Sequence, residues 1–287
     1  MHATGKPVMK PEEFRLIREF IAEKFGLMID ESKEGYLARE IGHRLTKLRL
    51  TTFSDYYTFI KYAPNNITEC RNFISLITNN ETIFFREEPQ LRVYADKALP
   101  TLKNRKIAAH TKKIRIVSAG CSSGEEVYTL AMLLVESGHF IWNWDVQIIG
   151  IDLDSKALEK AERGIYSGRA FQATPGYFLD RYFRKCGEGF AVRDILRKIT
   201  TFTQGNLLDL EKSLPENSID IIFCRNVLIY FNDDTIKRVV ESFAKILTKS
   251  GLLFLGHSES LARITDHYVP LRYPGTIIYK NRELIHG

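Results

Sequence analysis

A glycine-containing turn in the middle of the chain combines residue types that could bind a small ligand. It follows the β-like run Ile114–Ser118, contains Gly120 and Gly124, and leads into a helical stretch that begins near Val127. In an open α/β sheet, ligands bind beyond the carboxyl ends of the strands, where glycines let backbone N–H groups come close to them. We therefore predict a ligand site here, although such a turn can also merely close a strand onto a helix.

Two acids in this turn bear on the kind of ligand. Glu125 and Glu126 stand at the start of the helix, where carboxylates would repel a pyrophosphate and attract an ammonium or a sulfonium group. The turn also lacks the G-x-G-x-x-G pattern of dinucleotide sites. Both features argue against a nicotinamide cofactor. The alternative is that the two glutamates only stabilise the helix N-terminus.

Polar residues also follow the next two β-like runs. Asp152 ends the run Val146–Asp152, where a carboxylate could accept the hydroxyls of a ribose. Asp154 could instead cap the helix that begins at Ser155, so Asp152 is the better ribose candidate. Asn206 lies just past the third run, where its amide could meet an adenine edge.

The run Ile219–Cys224 is apolar enough to be a buried strand, and it leads directly into polar residues. Arg225 and Asn226 follow it at once, and Tyr230 stands four residues beyond Asn226. Because the ends of parallel strands meet at the mouth of the ligand cleft, we favour a functional role for these side chains over simple capping.

Two hydrophobic patterns along the chain predict the helices and strands that position these side chains. Residues 11 to about 85 have helical periodicity, whereas beyond residue 110 short β-branched runs alternate with helical stretches. The second pattern is typical of a largely parallel sheet covered on both faces. The segment Tyr166–Arg197 interrupts it with glycines and a proline, and its length predicts a small inserted subdomain.

The composition is that of an ordinary globular protein, with 44% hydrophobic and 26% charged residues. No apolar run approaches the ~20 residues of a membrane span, and Met1–Met9 lacks the apolar segment of a secretory signal. The four cysteines lie far apart, so we expect reduced thiols, a cytoplasmic location and no metal site. The net charge of +6 favours an acidic partner, which could be nucleic acid, anionic lipid or a carboxylate-rich protein.

Four motifs spread over most of the chain carry a family resemblance. They are NETIFFR at 80–86, SSGEE at 122–126, CRNVLIYF at 224–231 and GHSE at 256–259. With them, the chain from about residue 12 to 280 resembles the CheR family of chemotaxis receptor glutamate methyltransferases. Related methyltransferases have an acid on the first strand and a central glycine in the turn; Ser118 and Ser122 stand there instead, which is typical of this family.

The resemblance implies an α/β fold with an all-α N-terminal domain, residues 11–85, that docks the substrate. Residues 86–287 would form a doubly wound, Rossmann-like methyltransferase domain dependent on S-adenosylmethionine (SAM). A small antiparallel β subdomain would be inserted at about residues 166–202. The short loop at 185–189 argues against binding of a receptor's C-terminal tail by this subdomain.

The resemblance also assigns roles around the cofactor SAM, whose product is S-adenosylhomocysteine (SAH), with no metal involved. The implied cofactor-binding residues are Asn80, Thr82 and Arg86 at the methionyl end, Glu126 at the ammonium, Asp152 at the ribose, and Asn206, Leu207, Arg225 and Asn226 around the adenosine. Tyr230 matches a catalytic position close to the transferring methyl. A further family arginine could correspond to Arg92 or Lys97.

A helix predicted from about Glu34 to Leu50 is the candidate docking element. Its polar face carries Tyr36, Arg39, His43 and Lys47. This face could simply be solvated, or it could dock against the acidic helical cytoplasmic region of a chemotaxis receptor, as the resemblance supports. Arg39 and Lys47 are the candidate docking residues, and we expect a monomer.

The chemistry needs few catalytic groups. A glutamate is ionised at neutral pH, with a reference pKa of about 4.3, so it can attack a sulfonium methyl without a general base. Tyr230 would then orient the acceptor. His257 could be catalytic or only a turn histidine.

Two alternative functions are open. A SAM-dependent nucleic-acid methyltransferase would suit the net charge, but this chain lacks the Asn/Asp-Pro-Pro-Tyr turn of amino-methylating enzymes. The other alternative is a non-catalytic module that binds SAM and receptor.

Overall fold

The computed structural model describes residues 8–62, 67–140 and 143–282, and the chain divides into two compact units. The helical unit contains the residues up to Asn79 together with Tyr230–Asn232, and the sheet unit contains Asn80–Ile229 and the residues from Asp233 onward. The domain boundary expected after residue 85 remains a prediction. The expectation about a secretory signal concerns Met1–Met9, of which residues 1–7 lie outside the described part of the chain.

The helical unit contains four α-helices among its described residues. They are α1 (Pro11–Phe25), α2 (Glu34–Leu48), α3 (Phe53–Tyr62) and α4 (Ile67–Ile77). The apolar stripe of α1 is buried, and the helix ends where Gly26 takes a left-handed conformation with φ 75°. The spacing of Phe14, Ile17, Ile21 and Met28 predicts that all four share one helical stripe. This prediction is wrong for Met28, which lies beyond the end of α1 and is 47% exposed.

A buried carboxylate joins three of these helices. Glu69 on α4 accepts hydrogen bonds from Arg44 Nε on α2 (2.9 Å) and from the hydroxyl of Tyr56 on α3 (2.8 Å). The second guanidinium nitrogen of Arg44 and the Asn72 amide (3.1 Å) donate to its other oxygen. These bonds satisfy both carboxylate oxygens, so the cluster fixes the helices relative to one another.

The sheet unit contains two β-sheets. In chain order the strands are β1 (Lys113–Ala119), β2 (Asp145–Asp152), β3 (Ile165–Tyr166), β4 (Phe183–Cys186), β5 (Gly189–Val192), β6 (Thr200–Gln204), β7 (Ile219–Cys224), β8 (Leu247–Leu255), β9 (Tyr268–Tyr273) and β10 (Thr276–Asn281). The large sheet has the order β6-β2-β1-β7-β8-β10-β9, parallel up to β8 and antiparallel after it. The small antiparallel sheet, β3-β5-β4, is the predicted insertion.

The helices of this unit precede β1 or connect the strands. They are α5 (Glu88–Val93), α6 (Leu99–Ala108), α7 (Glu125–Glu136), α8 (Ser155–Arg163), α9 (Gly176–Tyr182), α10 (Asp194–Arg197), α11 (Leu210–Ser213) and α12 (Asp233–Ile246). Every residue of β7 is buried, as expected of a central strand in a covered parallel sheet. The predicted fold class is confirmed. Within the described ranges, no helix has the length and apolar character to cross a membrane.

Strand β9 was not predicted. It contains Pro270, which lacks an N–H and argues against a central strand. In the structure β9 is the edge strand next to β10, with Pro270 opposite Tyr279. An edge position tolerates proline, because one side of the strand has no partner to bond.

Candidate functional site

The predicted glycine turn joins β1 to α7. Gly120 and Gly124 both have positive φ, 78° and 90°. A Cβ on Gly120 would lie 2.4 Å from a methyl group of Val227, and one on Gly124 would lie 2.7 Å from Ala161. Glycine is therefore required at both positions, for backbone conformation and for close packing of the turn against neighbouring segments.

Asp152, at the end of β2, contacts this turn. Its Oδ2 accepts the Ser122 N–H at 2.7 Å, and its Oδ1 accepts the Asp154 N–H at 2.8 Å. Burial raises the pKa of Asp152, although the two N–H donors oppose that rise. Each oxygen keeps a further lone pair that could accept a ligand hydroxyl.

Asp154 has a different task from Asp152. Its side chain accepts the Lys156 N–H at 2.9 Å and so caps α8, which confirms the capping interpretation. The Asn80 amide donates to it at 2.8 Å, and the Ser122 hydroxyl donates to the Asn80 carbonyl at 3.1 Å. These contacts hold Asn80 beside the glycine turn between β1 and α7, although Asn80 and Asp154 are 74 residues apart in the sequence.

The two acids at the start of α7 are also distinct. Glu125 is 1% exposed, accepts the Ser123 hydroxyl at 2.7 Å and lies 3.7 Å from the Lys160 ammonium. Glu126 accepts the Ser118 hydroxyl at 2.7 Å from the end of β1. Burial raises the pKa of both carboxyl groups. Glu125 is thus engaged within the turn, whereas Glu126 faces the charged residue that follows β7.

That residue is Arg225, whose side chain is 3% exposed. Its guanidinium lies 3.2 Å from Glu126 Oε2 and 3.4 Å from Glu87 Oε2, and it donates to the Arg86 carbonyl. His257 Nδ1 lies 3.0 Å from the other oxygen of Glu87. We call Glu87, Glu126 and Arg225 the charged cluster. Glu87 was missed from the sequence, where it is only an acid beside a motif arginine.

Two protonation effects oppose each other in the charged cluster. Burial acts to raise the pKa of Glu87, but Arg225 and the bonds from His257 and Asn226 outweigh it, and the pKa is lowered. For Glu126 burial prevails over the attraction of Arg225, and the pKa is raised. Glu126 is therefore the less completely compensated of the two acids.

Polar atoms at the charged cluster lack hydrogen-bond partners within the described part of the chain. They are Glu87 Oε2, Arg225 Nε and Asn226 Oδ1, all buried. A buried polar atom without such a partner costs about 1–3 kcal/mol. A bound ligand with donors and acceptors would recover that cost. These atoms mark the polar wall of a candidate ligand site.

Other predicted cofactor residues lie on the same unit in varied settings. Asn206 accepts the Leu208 N–H at 3.1 Å and caps a short 3₁₀ turn, while Leu207 is 6% exposed. Thr82 and Arg86 are partly exposed, and an Arg86 guanidinium nitrogen lies 3.4 Å from the Glu81 carbonyl. Their roles at the cofactor remain predictions.

The two candidates for the further arginine lie elsewhere. Arg92 forms an exposed ion pair with Glu88 on α5 at 2.5 Å. Lys97 lines a cavity of about 240 Å³ together with Arg105 and Asp220, near the start of β7. Among the described residues, neither of them forms a hydrogen bond or ion pair with the charged cluster.

Tyr230 belongs to the helical unit. Its hydroxyl oxygen accepts a hydrogen bond from the Asn79 amide at 3.0 Å, and its carbonyl accepts the Met28 N–H at 2.7 Å. Since Asn79 donates to the oxygen, the phenolic proton is left for donation to another group. Asn79 was not predicted; its only sequence signal is its place next to the NETIFFR motif.

The polar face of α2 is exposed as predicted. Tyr36, Arg39, His43 and Lys47 all face solvent. Arg39 is paired with Glu40 at 2.9 Å, and its guanidinium lies 5.4 Å from the centre of the Tyr36 ring. The structure places these residues on one accessible surface, and their docking role remains a prediction.

Comparison with known proteins gives matches over both units. A family model described as the SAM binding domain of CheR methyltransferase matches residues 80–274, and one described as the all-alpha domain of CheR methyltransferase matches residues 12–78. The chain is 33% identical over 267 residues to Chemotaxis protein methyltransferase 2 of Vibrio cholerae, covering 93% of this chain and 91% of that protein. It is 34% identical over 270 residues to Chemotaxis protein methyltransferase of Borreliella burgdorferi, covering 93% and 94%. The Escherichia coli protein of the same name is 32% identical over 273 residues, covering 93% and 91%.

Proposed function

The chain belongs to the CheR methyltransferase family and is a SAM-dependent methyltransferase, and from this premise we propose that its acceptors are glutamate side chains of chemotaxis receptors. The products are glutamate methyl esters and SAH, and the biological role is chemosensory adaptation. The observation that carries this proposal is the likeness over 93% of the chain to proteins named chemotaxis protein methyltransferases.

The residues of the sheet unit fit the cofactor. SAM carries an ammonium and a sulfonium, and Glu126 is a largely buried carboxylate, 16% exposed, that Arg225 compensates only in part. Asp152 has lone pairs for the ribose hydroxyls. Asn226 Oδ1 and Arg225 Nε are an unsatisfied acceptor and donor, as suits the polar edge of an adenosine. Asn80, Thr82, Arg86, Asn206 and Leu207 complete the proposed site.

When bound, SAM supplies an electrophilic methyl group on a positively charged sulfur. An ionised glutamate attacks carbon directly, and the opposite charges of the two reactants partly cancel as the bond forms. The protein's task is to hold the reactants in line, about 3–3.5 Å apart, and to exclude water. A general base is not needed for this reaction.

Tyr230 would orient the acceptor. Its hydroxyl oxygen is already bonded to Asn79, so its proton is available for a carboxylate oxygen of the receptor glutamate. In this role Tyr230 aligns the acceptor and does not transfer a proton. The exposed face of α2, with Arg39 and Lys47, would attract the acidic helical region of the receptor.

One experiment tests the proposal as a whole. The full chain is incubated with methyl-labelled SAM and membranes that contain chemotaxis receptors, with receptor-free membranes as the control. Label should appear on the receptor and be released by mild base, because carboxyl esters are base-labile. Base-stable label, label on added DNA, or no transfer despite SAH binding would each contradict the proposed acceptor.

A further inference from the structure

The parallel strands β7 and β8 end side by side, and their last paired residues are Cys224 and Leu255. Strand pairing ends at this pair. The backbone N–H groups of the residues that follow β7 and β8 therefore have no partner in a neighbouring strand. Four of them are instead bonded by one side chain, the carboxylate of Glu259. This residue ends the GHSE motif.

Each oxygen of Glu259 accepts two hydrogen bonds. Oε1 accepts the N–H groups of Val227 at 2.9 Å and Ile229 at 3.3 Å. Oε2 accepts those of Asn226 at 3.0 Å and Gly256 at 2.6 Å. The carboxylate thereby holds together the segment after β7 and the segment after β8.

The geometry around this carboxylate is tight. A Cβ on Gly256 would lie 2.8 Å from Glu259 Oε2 and 2.9 Å from the Asn226 nitrogen, so only glycine permits the approach. Asn226 has φ 59°, a left-handed conformation that asparagine adopts more readily than most residues. Glu259 bonds the N–H of this residue directly, and the turn continues along the chain to Tyr230.

We propose that Glu259 is a positioning residue, which fixes the backbone after β7 so that the side chains of Arg225 and Asn226 face the cofactor. This inference rests on the proposed cofactor site. Glu259 touches the backbone of the site residues, and its effect on the cofactor is exerted through them. Loss of its bonds should release the left-handed turn at Asn226 and misplace the unsatisfied atoms of both side chains.

The informative substitution is Glu259→Gln. An amide has nearly the shape of the carboxylate, but in either orientation its NH₂ group faces two N–H donors that need an acceptor. Glu259→Asp retains the charge and both oxygens on a shorter side chain. The matched control is Asp220→Asn, a buried carboxylate at the start of the same strand β7, which accepts the Arg115 N–H at 3.1 Å and pairs with Lys106 at 2.7 Å.

Two quantities are measured on each full-length variant, the SAH dissociation constant by calorimetry and the midpoint of thermal unfolding. Glu259→Gln should raise the dissociation constant at least about tenfold, with Glu259→Asp intermediate. Asp220→Asn should lower the unfolding midpoint while leaving SAH affinity within about twofold of wild type, since it lies at the far end of the strand.

The outcomes separate the inference from the function on which it rests. If the wild-type protein does not bind SAH, the proposed cofactor site itself fails. If it binds SAH and folded Glu259→Gln binds equally well, Glu259 is not a positioning residue. If Asp220→Asn loses as much SAH affinity as Glu259→Gln, the loss reflects general destabilisation of β7, and the positioning role of Glu259 is refuted. Should Glu259→Gln not fold, wild-type affinity in Glu259→Asp would overturn the proposal.

Discussion

The helical unit and the sheet unit each bury a carboxylate against an arginine, and the two arrangements differ in how completely they are bonded. Glu69 has hydrogen bonds from Arg44, Tyr56 and Asn72, which outweigh burial and lower its pKa. Glu126 has Arg225 and Ser118, which do not, and its pKa is raised because burial prevails.

This difference indicates different purposes. At Glu69 every side-chain oxygen has a partner from the protein itself, as expected of a cluster that only joins helices. At the charged cluster, buried atoms of Glu87, Arg225 and Asn226 lack hydrogen-bond partners within the described residues. Incomplete compensation costs stability in the free protein and leaves polar atoms for a ligand to satisfy.

The largest expected effect is on the free energy of unfolding, when either Arg44 or Arg225 is replaced. Arg44→Met should lower the free energy of unfolding by about 3–5 kcal/mol, because the Glu69 carboxylate is left buried without a positive charge beside it. SAH affinity should not change. Arg225→Met should destabilise the protein too, but it should also weaken SAH binding. Urea denaturation and calorimetry on both variants test the comparison, which fails if Arg44→Met alone weakens SAH binding.

Asp152→Ala tests the ribose assignment. We expect SAH binding to weaken by about 1–3 kcal/mol, since ribose hydroxyls lose an ionised acceptor. Asp180→Ala, an exposed acid on α9, is the control and should bind as wild type does. Unchanged affinity in a folded Asp152→Ala protein, measured by calorimetry, would remove Asp152 from the site.

The raised pKa of Glu126 predicts a pH dependence of binding. Glu126 must be ionised to attract the ligand's ammonium, so SAH affinity should be highest at pH values where this carboxyl group is ionised. It should fall as the pH is lowered through the raised pKa, which lies above the ordinary value of 4.5. The limiting slope is about tenfold per pH unit for one group.

The control for this pH dependence is Glu126→Gln, which removes one titrating group. Its SAH affinity should be lower at neutral pH and should fall less steeply on acidification. Some slope should remain, because burial raises the pKa of Asp152 as well. An identical slope in wild type and Glu126→Gln would show that Glu126 does not face the ammonium.

Tyr230→Phe tests the orienting role of the hydroxyl. Loss of one hydrogen bond worth about 0.5–1.5 kcal/mol should lower kcat roughly threefold to tenfold, with SAH affinity nearly unchanged. Tyr177→Phe, which removes an exposed hydroxyl bonded to Glu136, is the control. Complete inactivity of folded Tyr230→Phe would make the hydroxyl essential and refute the base-free mechanism; full activity would leave only the ring as part of the site.

The smallest effect is expected on α2. Changing Arg39 and Lys47 together to Glu should lower kcat/KM for receptor methylation several-fold at low salt, and less at higher salt, with SAH affinity intact. Lys198→Glu with Lys249→Glu changes the net charge equally on the sheet unit and should have little effect. Normal methylation by the α2 variant at both salt concentrations would mean that this face is only solvated.

Sequence patterns that act over a few residues, such as helix caps and apolar runs, explain most of the helices and strands that were predicted correctly. The helix at Ser155–Arg163 and the strand at Ile219–Cys224 coincide with their predicted ranges, because capping and apolar runs act over a few residues. The same patterns wrongly extended the apolar stripe of α1 to Met28, and they left unpredicted β9, an edge strand that contains a proline.

Some features of the candidate site depend on neighbours in the sequence, and others depend on tertiary contacts. Sequence alone determined that acids and amides follow β1, β2 and β7, and it correctly gave Asp154 a capping role, because these features depend on neighbours in the chain. Only the tertiary structure separated Glu125 from Glu126 and joined Glu87 to Asn226, 139 residues apart. It likewise decided that Glu259 bonds the turn after β7 and that Asn79 bonds Tyr230. Such contacts depend on which strand ends and helix ends become neighbours, and neither propensity nor periodicity extends beyond a few turns or strand positions.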